Sequence, residues 1–124
     1  MKFMEVENIL EVTLFAEIPV PEDIKEMLVN GEEAVESYKT FRDSVTFTTK
    51  RIIVRDSQGM TGKKVEIYSI PYKIIDIWSS ENAKGMFDFN SEIELWTRTG
   101  NFKIKLDKKI DIRAIDMLIA NAVL

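Results

Sequence analysis

Residues 44–73 read SVTFTTKRIIVRDSQGMTGKKVEIYSIPYK, and this stretch decides the fold. Val45-Thr46-Phe47-Thr48 alternates apolar and polar side chains, and Arg51-Ile52-Ile53-Val54 is rich in β-branched residues. Thr49-Lys50 between them is a polar step of the length that joins two strands of a hairpin. A second hairpin follows at once. Ile53-Val54-Arg55 leads into a loop holding Gly59 and Gly62, and Val65-Glu66-Ile67-Tyr68 returns. Two linked hairpins predict antiparallel β-structure.

The same alternation extends outward. Upstream, Ala34–Phe41 is β-compatible, with Tyr38 and Phe41 expected in the core, and Arg42-Asp43-Ser44 is the turn into the first hairpin. Downstream, Pro71 marks a break or an edge position, and residues 73–78 (KIIDIW) read as a strand before a loop over 79–85. Phe87-Asp88-Phe89 alternates cleanly. Ile93, Leu95 and Thr97 alternate with Glu94, Trp96 and Arg98, and Phe102, Ile104 and Leu106 alternate with Lys103 and Lys105. The spacing predicts about seven strands over residues 32–106, hence a sandwich or barrel.

Helices are expected at both ends. Phe3, Val6, Ile9, Leu10 and Leu14 recur at helical spacing with glutamates between them, which predicts an amphipathic helix over 3–15. Such a stripe either packs on the domain or meets a partner. The glutamates disfavour a membrane partner, whose helices carry Lys and Arg on the polar face. Pro21 suits a first helical turn, with Glu22 and Asp23 at the positive end of the dipole and Asn30-Gly31 as a stop, so a short helix is expected over 21–29. Residues 1–30 are thus read as a helical segment. Over 111–123 a last helix begins at Asp111 as N-cap, with Ile112, Ile115, Leu118, Ile119 and Ala122 on one face.

Composition sets limits on function. A chain of 124 residues is read as a single domain. It has no cysteine and no histidine, so catalytic triads built on either are excluded within one chain. The net charge of −4, from 17 basic and 21 acidic residues, lacks the cationic excess that phosphate neutralisation demands of a nucleic-acid binder. Glu5, Glu7 and Glu11 interrupt the first apolar region, unlike a secretory leader. The chain therefore reads as soluble and cytoplasmic, with no nucleic-acid partner.

Arg42-Asp43, Phe47-Thr48, Lys50-Arg51, Asp56, Gln58-Gly59, residues 61–66 (TGKKVE) and residues 69–73 (SIPYK), with Phe87-Asp88 and Trp96, resemble the bacterial pleckstrin-homology (PH)-like domain family. Where that family often has Thr-Asn-Lys-Arg at the hairpin, this chain has Thr48-Thr49-Lys50-Arg51. The resemblance implies a mainly β, PH-like barrel or sandwich closed by the C-terminal helix. It also implies assembly into ring-like homo-oligomers and no established enzymatic activity.

Candidate sites follow from residue types. Lys39, Arg42, Lys50, Arg51, Lys63 and Lys64 invite a phosphoinositide reading, and the first four are the candidate ligand contacts. A multiply charged headgroup needs converging donors, whereas the short loop Arg42-Asp43-Ser44 sets one cation beside one anion. Strand-edge charges that discourage aggregation explain the same residues, so phosphoinositide binding is not expected. Glu81, Asp88, Glu92 and Glu94 lack the spacing of a metal loop and read as a wet strand face. Residues 58–64 depart from the spacing of a phosphate loop. No catalytic residue, metal site or cofactor is expected. Phe3, Val6, Leu10 and Trp96 are the candidate interface residues. Trp96 lies opposite Leu95, either at a protein interface or under a helix. The chain is expected to be a non-catalytic binding or scaffold module that self-associates. The competing class is a small-ligand or lipid-headgroup domain.

Overall fold

The structure, a computed structural model, describes residues 8–58, 64–82 and 90–124. In chain order these form β1 (Asn8–Leu14), β2 (Ala16–Ile18), α1 (Glu22–Lys25), β3 (Ala34–Lys39), β4 (Asp43–Thr48) and β5 (Arg51–Gln58). Then come β6 (Lys64–Pro71), a 3-10 turn over Tyr72–Ile74, β7 (Ile77–Glu81), β8 (Asn90–Thr97), β9 (Gly100–Asp107) and α2 (Ile112–Val123). One sheet has the order β2-β3-β4-β5-β6 and the other the order β1-β9-β8-β7.

The two expected hairpins are β4–β5 and β5–β6, and their alternation sorts the side chains. Val45 and Phe47 lie opposite Val54 and Ile52, and all four enter one core with Ile93, Leu95, Phe102, Ile104 and Leu106 of the facing sheet. The β4–β5 turn needs no left-handed residue. Among the described residues no non-glycine has a positive φ. Instead the Thr48 hydroxyl accepts from the backbone N–H of Lys50 at 3.0 Å and of Arg51 at 2.9 Å. Thr48 thereby stabilises the turn with its own side chain, and Thr49 follows it in the turn.

Helix α2 closes the core as its periodicity predicts. Asp111 caps it, its Oδ1 accepting from Arg113 N at 3.0 Å and Ala114 N at 3.4 Å. Ile112, Ile115 and Ile119 are buried in the shared core, and Leu118 packs at its margin. Burying each such isoleucine contributes about 1.5–3 kcal/mol. Asp116 on the same helix ties down the edge strand β7. Its Oδ1 accepts from Trp78 Nε1 at 2.9 Å and its Oδ2 from the Ser80 hydroxyl at 2.8 Å.

Three expectations are corrected. The helix expected over 3–15 is not formed, because residues 8–14 are a strand paired in parallel with β9. Leu10, Val12 and Leu14 alternate with Glu11 and Thr13, so Leu10 and Leu14, which fit a helix, also fit period two. In register, Leu10, Val12 and Leu14 stand beside Phe102, Ile104 and Leu106 over the core. The helical segment expected over 1–30 thus reduces to α1, with residues 1–7 outside the described region. The strand expected over 73–78 starts only at Ile77, because Tyr72–Ile74 make a 3-10 turn that lets Tyr72 sink into the core. Phe41 is not a core residue. Strand β3 ends at Lys39, and Phe41 sits beyond it in the turn, 83% exposed, edge-on to Phe15 at 4.4 Å. The alternation at Phe87–Phe89 lies outside the described residues.

Seven strands, β3 to β9, run from Ala34 to Asp107, and β1 and β2 add to them. Within the described residues no helix is long and apolar enough to cross a membrane.

Candidate functional site

The four cations proposed as ligand contacts do not converge. Arg42 precedes β4, and Lys50 and Arg51 follow it, so a strand of six residues sets roughly 20 Å between the two groups. Arg51 is committed to the fold. Its Nε donates to Glu32 Oε2 at 2.9 Å, and its Nη2 donates to Glu32 Oε1 at 3.1 Å and to the Met27 carbonyl at 3.0 Å. Glu32 is buried and also accepts from Val29 N at 3.0 Å and from the Thr48 hydroxyl at 2.6 Å. Burial alone would raise its carboxyl. The hydrogen bonds from Arg51, Thr48 and Val29 outweigh that and hold the carboxyl down at about 2. Gly31, at φ +80, turns the chain so that the next residue can enter this latch. Beside it Tyr72 donates its buried hydroxyl to the Thr48 carbonyl at 2.8 Å, and burial pushes that phenol up.

At the other end of the hairpin the arginines are also paired. Arg42 Nε lies 2.6 Å from Asp56 Oδ1. Arg55 donates from Nε to Asp23 Oδ2 at 2.8 Å and from Nη1 to Asp43, which also accepts from the Ser57 hydroxyl. Arg51 and Arg55 therefore both hold the α1 segment over the outer face of β5. Ile53 lies between them in sequence on that same face, and both Ile53 and Ile24 of α1 are fully buried outside the main core. Arg42 and Arg55 line a groove of about 410 Å³ with Leu10, Val12, Phe41 and Tyr68. Its polar wall mixes these arginines with Glu11 and Asp56, so the groove offers no net cationic well. Lys39 is exposed at the end of β3, and Lys50 is exposed in the β4–β5 turn. Lys64 is exposed at the start of β6, and Lys63 lies outside the described residues.

On the outer face of the second sheet the acidic set is matched by lysines. Glu94 lies opposite Lys103, and Glu92 opposite Lys105, whose Nζ also reaches Glu11 Oε1 at 3.1 Å. Glu81 pairs in register with Glu92, and Asp88 lies outside the described residues. Among the described residues no three carboxylates are grouped to hold a metal ion. Trp96 shares this wet face with Ile77, its register partner. They are 36% and 63% exposed, while Leu95 is buried against α2. Of the two positions open to Trp96, it takes the surface. Leu10 is half-buried against the core, and Phe3 and Val6 lie outside the described residues.

Two features escaped sequence reading. The Glu32–Arg51 latch joins residues far apart in the chain and has no local signature. The exposure of β6 runs against its sequence, because apolar groups on both faces are the pattern of a strand covered on both sides. Val65 and Ile67 point one way and Tyr68 and Ile70 the other, so the strand carries apolar groups on both faces. Only Ile70 is buried, and Lys64 through Ser69 are all exposed.

Comparison with known proteins gives the architecture a family. The profile of the bacterial PH domain matches residues 4–123. The uncharacterized protein YjqA of Bacillus subtilis (strain 168) is 47% identical over 77 residues, which span 62% of this chain and 61% of that protein. The uncharacterized protein YozO of the same organism is 33% identical over 96 residues, 77% of this chain and 82% of that one. Among solved structures, a DUF1696 family protein with a pleckstrin-homology domain from Shewanella loihica PV-4 superposes with a TM-score of 0.77. It is 35% identical, and the match covers 88% of this chain and 97% of that one. Two sheets closed by a C-terminal helix, and a family match along nearly the whole sequence, lead to one assignment: the chain belongs to the bacterial PH domain family.

Proposed function

We propose that this chain is a non-catalytic, cytoplasmic scaffold module that works by self-association into a homo-oligomer larger than a dimer. The observation that carries this reading is how the surface is used. Arg42, Arg51 and Arg55 are spent on carboxylates of the same chain, while large apolar side chains stay exposed on open strands: Val65 at 41%, Ile67 at 37% and Tyr68 at 38% on β6, and Ile77 at 63% on β7. Exposed apolar groups gathered at an edge are the usual mark of a protein contact. The test is the mass in solution. Light scattering at micromolar concentration should report several times the 14.3 kDa of one chain. A stable monomer throughout that range rejects the reading.

The groove lined by Phe41, Arg42 and Tyr68 favours a second reading, a small-ligand or headgroup domain. A thermal-shift screen with headgroups, nucleotides and metals separates the two, since a ligand held by the native state raises its melting temperature.

A further inference from the structure

We propose that the rim formed by the β4–β5 turn, the 3-10 turn and the β8–β9 turn docks an extended acidic segment of another protein, with Lys50, Lys73 and Arg98 as the contacts to its carboxylates. This goes beyond the self-association reading and stands whether the chain is a monomer or an oligomer.

Backbone hydrogen bonds hold the three turns together. Tyr72 N donates to the Lys50 carbonyl at 3.1 Å, which ties the 3-10 turn to the β4–β5 turn. Just beyond that turn, Asp76 N donates to the Trp96 carbonyl at 2.9 Å, near the end of β8. The turn at Arg98-Thr99 is itself braced, the Thr97 hydroxyl donating to the Gly100 carbonyl at 2.8 Å and accepting from Thr99 N at 3.2 Å. Two grooves open at this rim, and Lys73 lines both. One, of about 480 Å³, lies among Val29, Lys50, Tyr72 and Ala122. The other, of about 460 Å³, lies among Ile74, Asp76, Arg98 and Thr99.

Charge selects the occupant. Arg51 also lines the first groove, but Glu32 neutralises it. Lys50, Lys73 and Arg98 are exposed, and no described residue forms an ion pair with any of them. Among the described lining residues only Asp76 is left to oppose them, so the rim is cationic on a chain of net charge −4. Each groove also holds an exposed apolar side chain, Val29 at 56% in one and Ile74 at 39% in the other. A chain with an apolar residue among its carboxylates matches both features, and complementary charge steers it to this face. The protein's own adjacent carboxylate pairs, Glu22-Asp23 and Glu32-Glu33, lie in the segment that Arg55 and Arg51 clamp, which favours a different protein as the occupant. A bilayer fits less well. It would meet Asp76 and the exposed Glu33, whose N–H and carbonyl bond to Thr49 at the same rim, and a flat surface would not enter the grooves.

The probe is a fluorescein-labelled peptide, Gly-Glu-Glu-Leu-Glu-Glu-Gly, compared with its copy carrying glutamine at every glutamate, and the readout is fluorescence anisotropy with the full chain. Glutamine keeps the size and removes the charge. The acidic peptide should bind roughly tenfold tighter or more at low salt, and the difference should shrink as salt rises. Lys73→Glu, which alters both grooves, should weaken it about tenfold or more, and Lys50→Glu and Arg98→Glu several-fold each. Lys108 is exposed beyond the other end of β9 from Arg98, so Lys108→Glu makes the same change in net charge away from the rim. It should stay within about twofold of the wild type. If Lys73→Glu does not fold, Lys73→Gln takes its place. No saturable binding of the acidic peptide, equal binding of the two peptides, or an equal loss in Lys108→Glu overturns the proposal. So does sedimentation with phosphatidylserine vesicles that Lys73→Glu abolishes, which would assign the rim to a membrane.

Discussion

At the scale of single residues, Glu32 holds the most consequential position outside the core. It is the shared acceptor of a loop amide, a turn hydroxyl and a two-pronged arginine. A buried carboxylate is costly by itself, and it stays ionised only because several donors converge on it. In the unfolded chain the carboxyl titrates near 4.5, and in the fold near 2. A depressed carboxyl gives stability that is present in full above the unfolded value and is lost as pH falls through 4.5 towards 2. The difference corresponds to about 3 kcal/mol. We expect the wild-type melting temperature to drop across this acid window, and Glu32→Gln to be less stable at neutral pH with a flatter acid limb. Thermal melts of both proteins between pH 2 and 7 check this. Parallel curves would assign the acid sensitivity to other carboxylates.

At the scale of elements, α2 is the piece that periodicity defines best. Ile115 is fully buried between the sheets and the helix. Ile115→Asp places a carboxylate there with no partner, at a cost of several kcal/mol against a total stability of about 5–15 kcal/mol. Its melting temperature should fall severely, and an unchanged melt would show that the helix does not cover the sheets. The elements also show what was legible and why. α2 was readable because Asp111 caps it and its isoleucines repeat at helical spacing. β8 and β9 were readable because one face is wet and one is dry, which forces alternation, and β4 and β5 because β-branched and aromatic runs flank a short polar turn, although Thr46 and Ile53 on their outer face are buried as well. β1 was misread because Leu10 and Leu14 satisfy helical spacing and period two at once, and only the parallel pairing with β9 decides between them. The end of β3 was misread because Phe41 is aromatic, while nothing local marks it as the exposed tip of a turn. The candidate ligand cations were identified by type and grouped by sequence proximity. Proximity along a hairpin carries no such meaning, because the strand between Arg42 and Lys50 separates them.

At the scale of the whole molecule, the distribution of charge decides what the surface can attract. The net charge is −4. Arg42 is drawn to Asp56, Arg55 to Asp23 and Asp43, and Arg51 to Glu32. An anionic headgroup arriving at the groove would have to compete with carboxylates already within hydrogen-bond distance of those guanidiniums. Breaking a paired arginine free leaves a carboxylate without its counter-ion, which offsets what the phosphate would contribute. The exposed Lys39 and Lys50 stand near opposite ends of β4 and cannot grip one headgroup together. Interactions of such separated surface cations with a lipid surface are screened within a Debye length of roughly 8 Å at physiological salt. We therefore expect no sedimentation with phosphoinositide liposomes at physiological ionic strength, and only weak, salt-sensitive association when salt is lowered. Co-sedimentation across a salt series is the measurement. Salt-resistant binding at micromolar protein would show that the groove releases its arginines to a ligand, and it would move the headgroup reading ahead of the scaffold one.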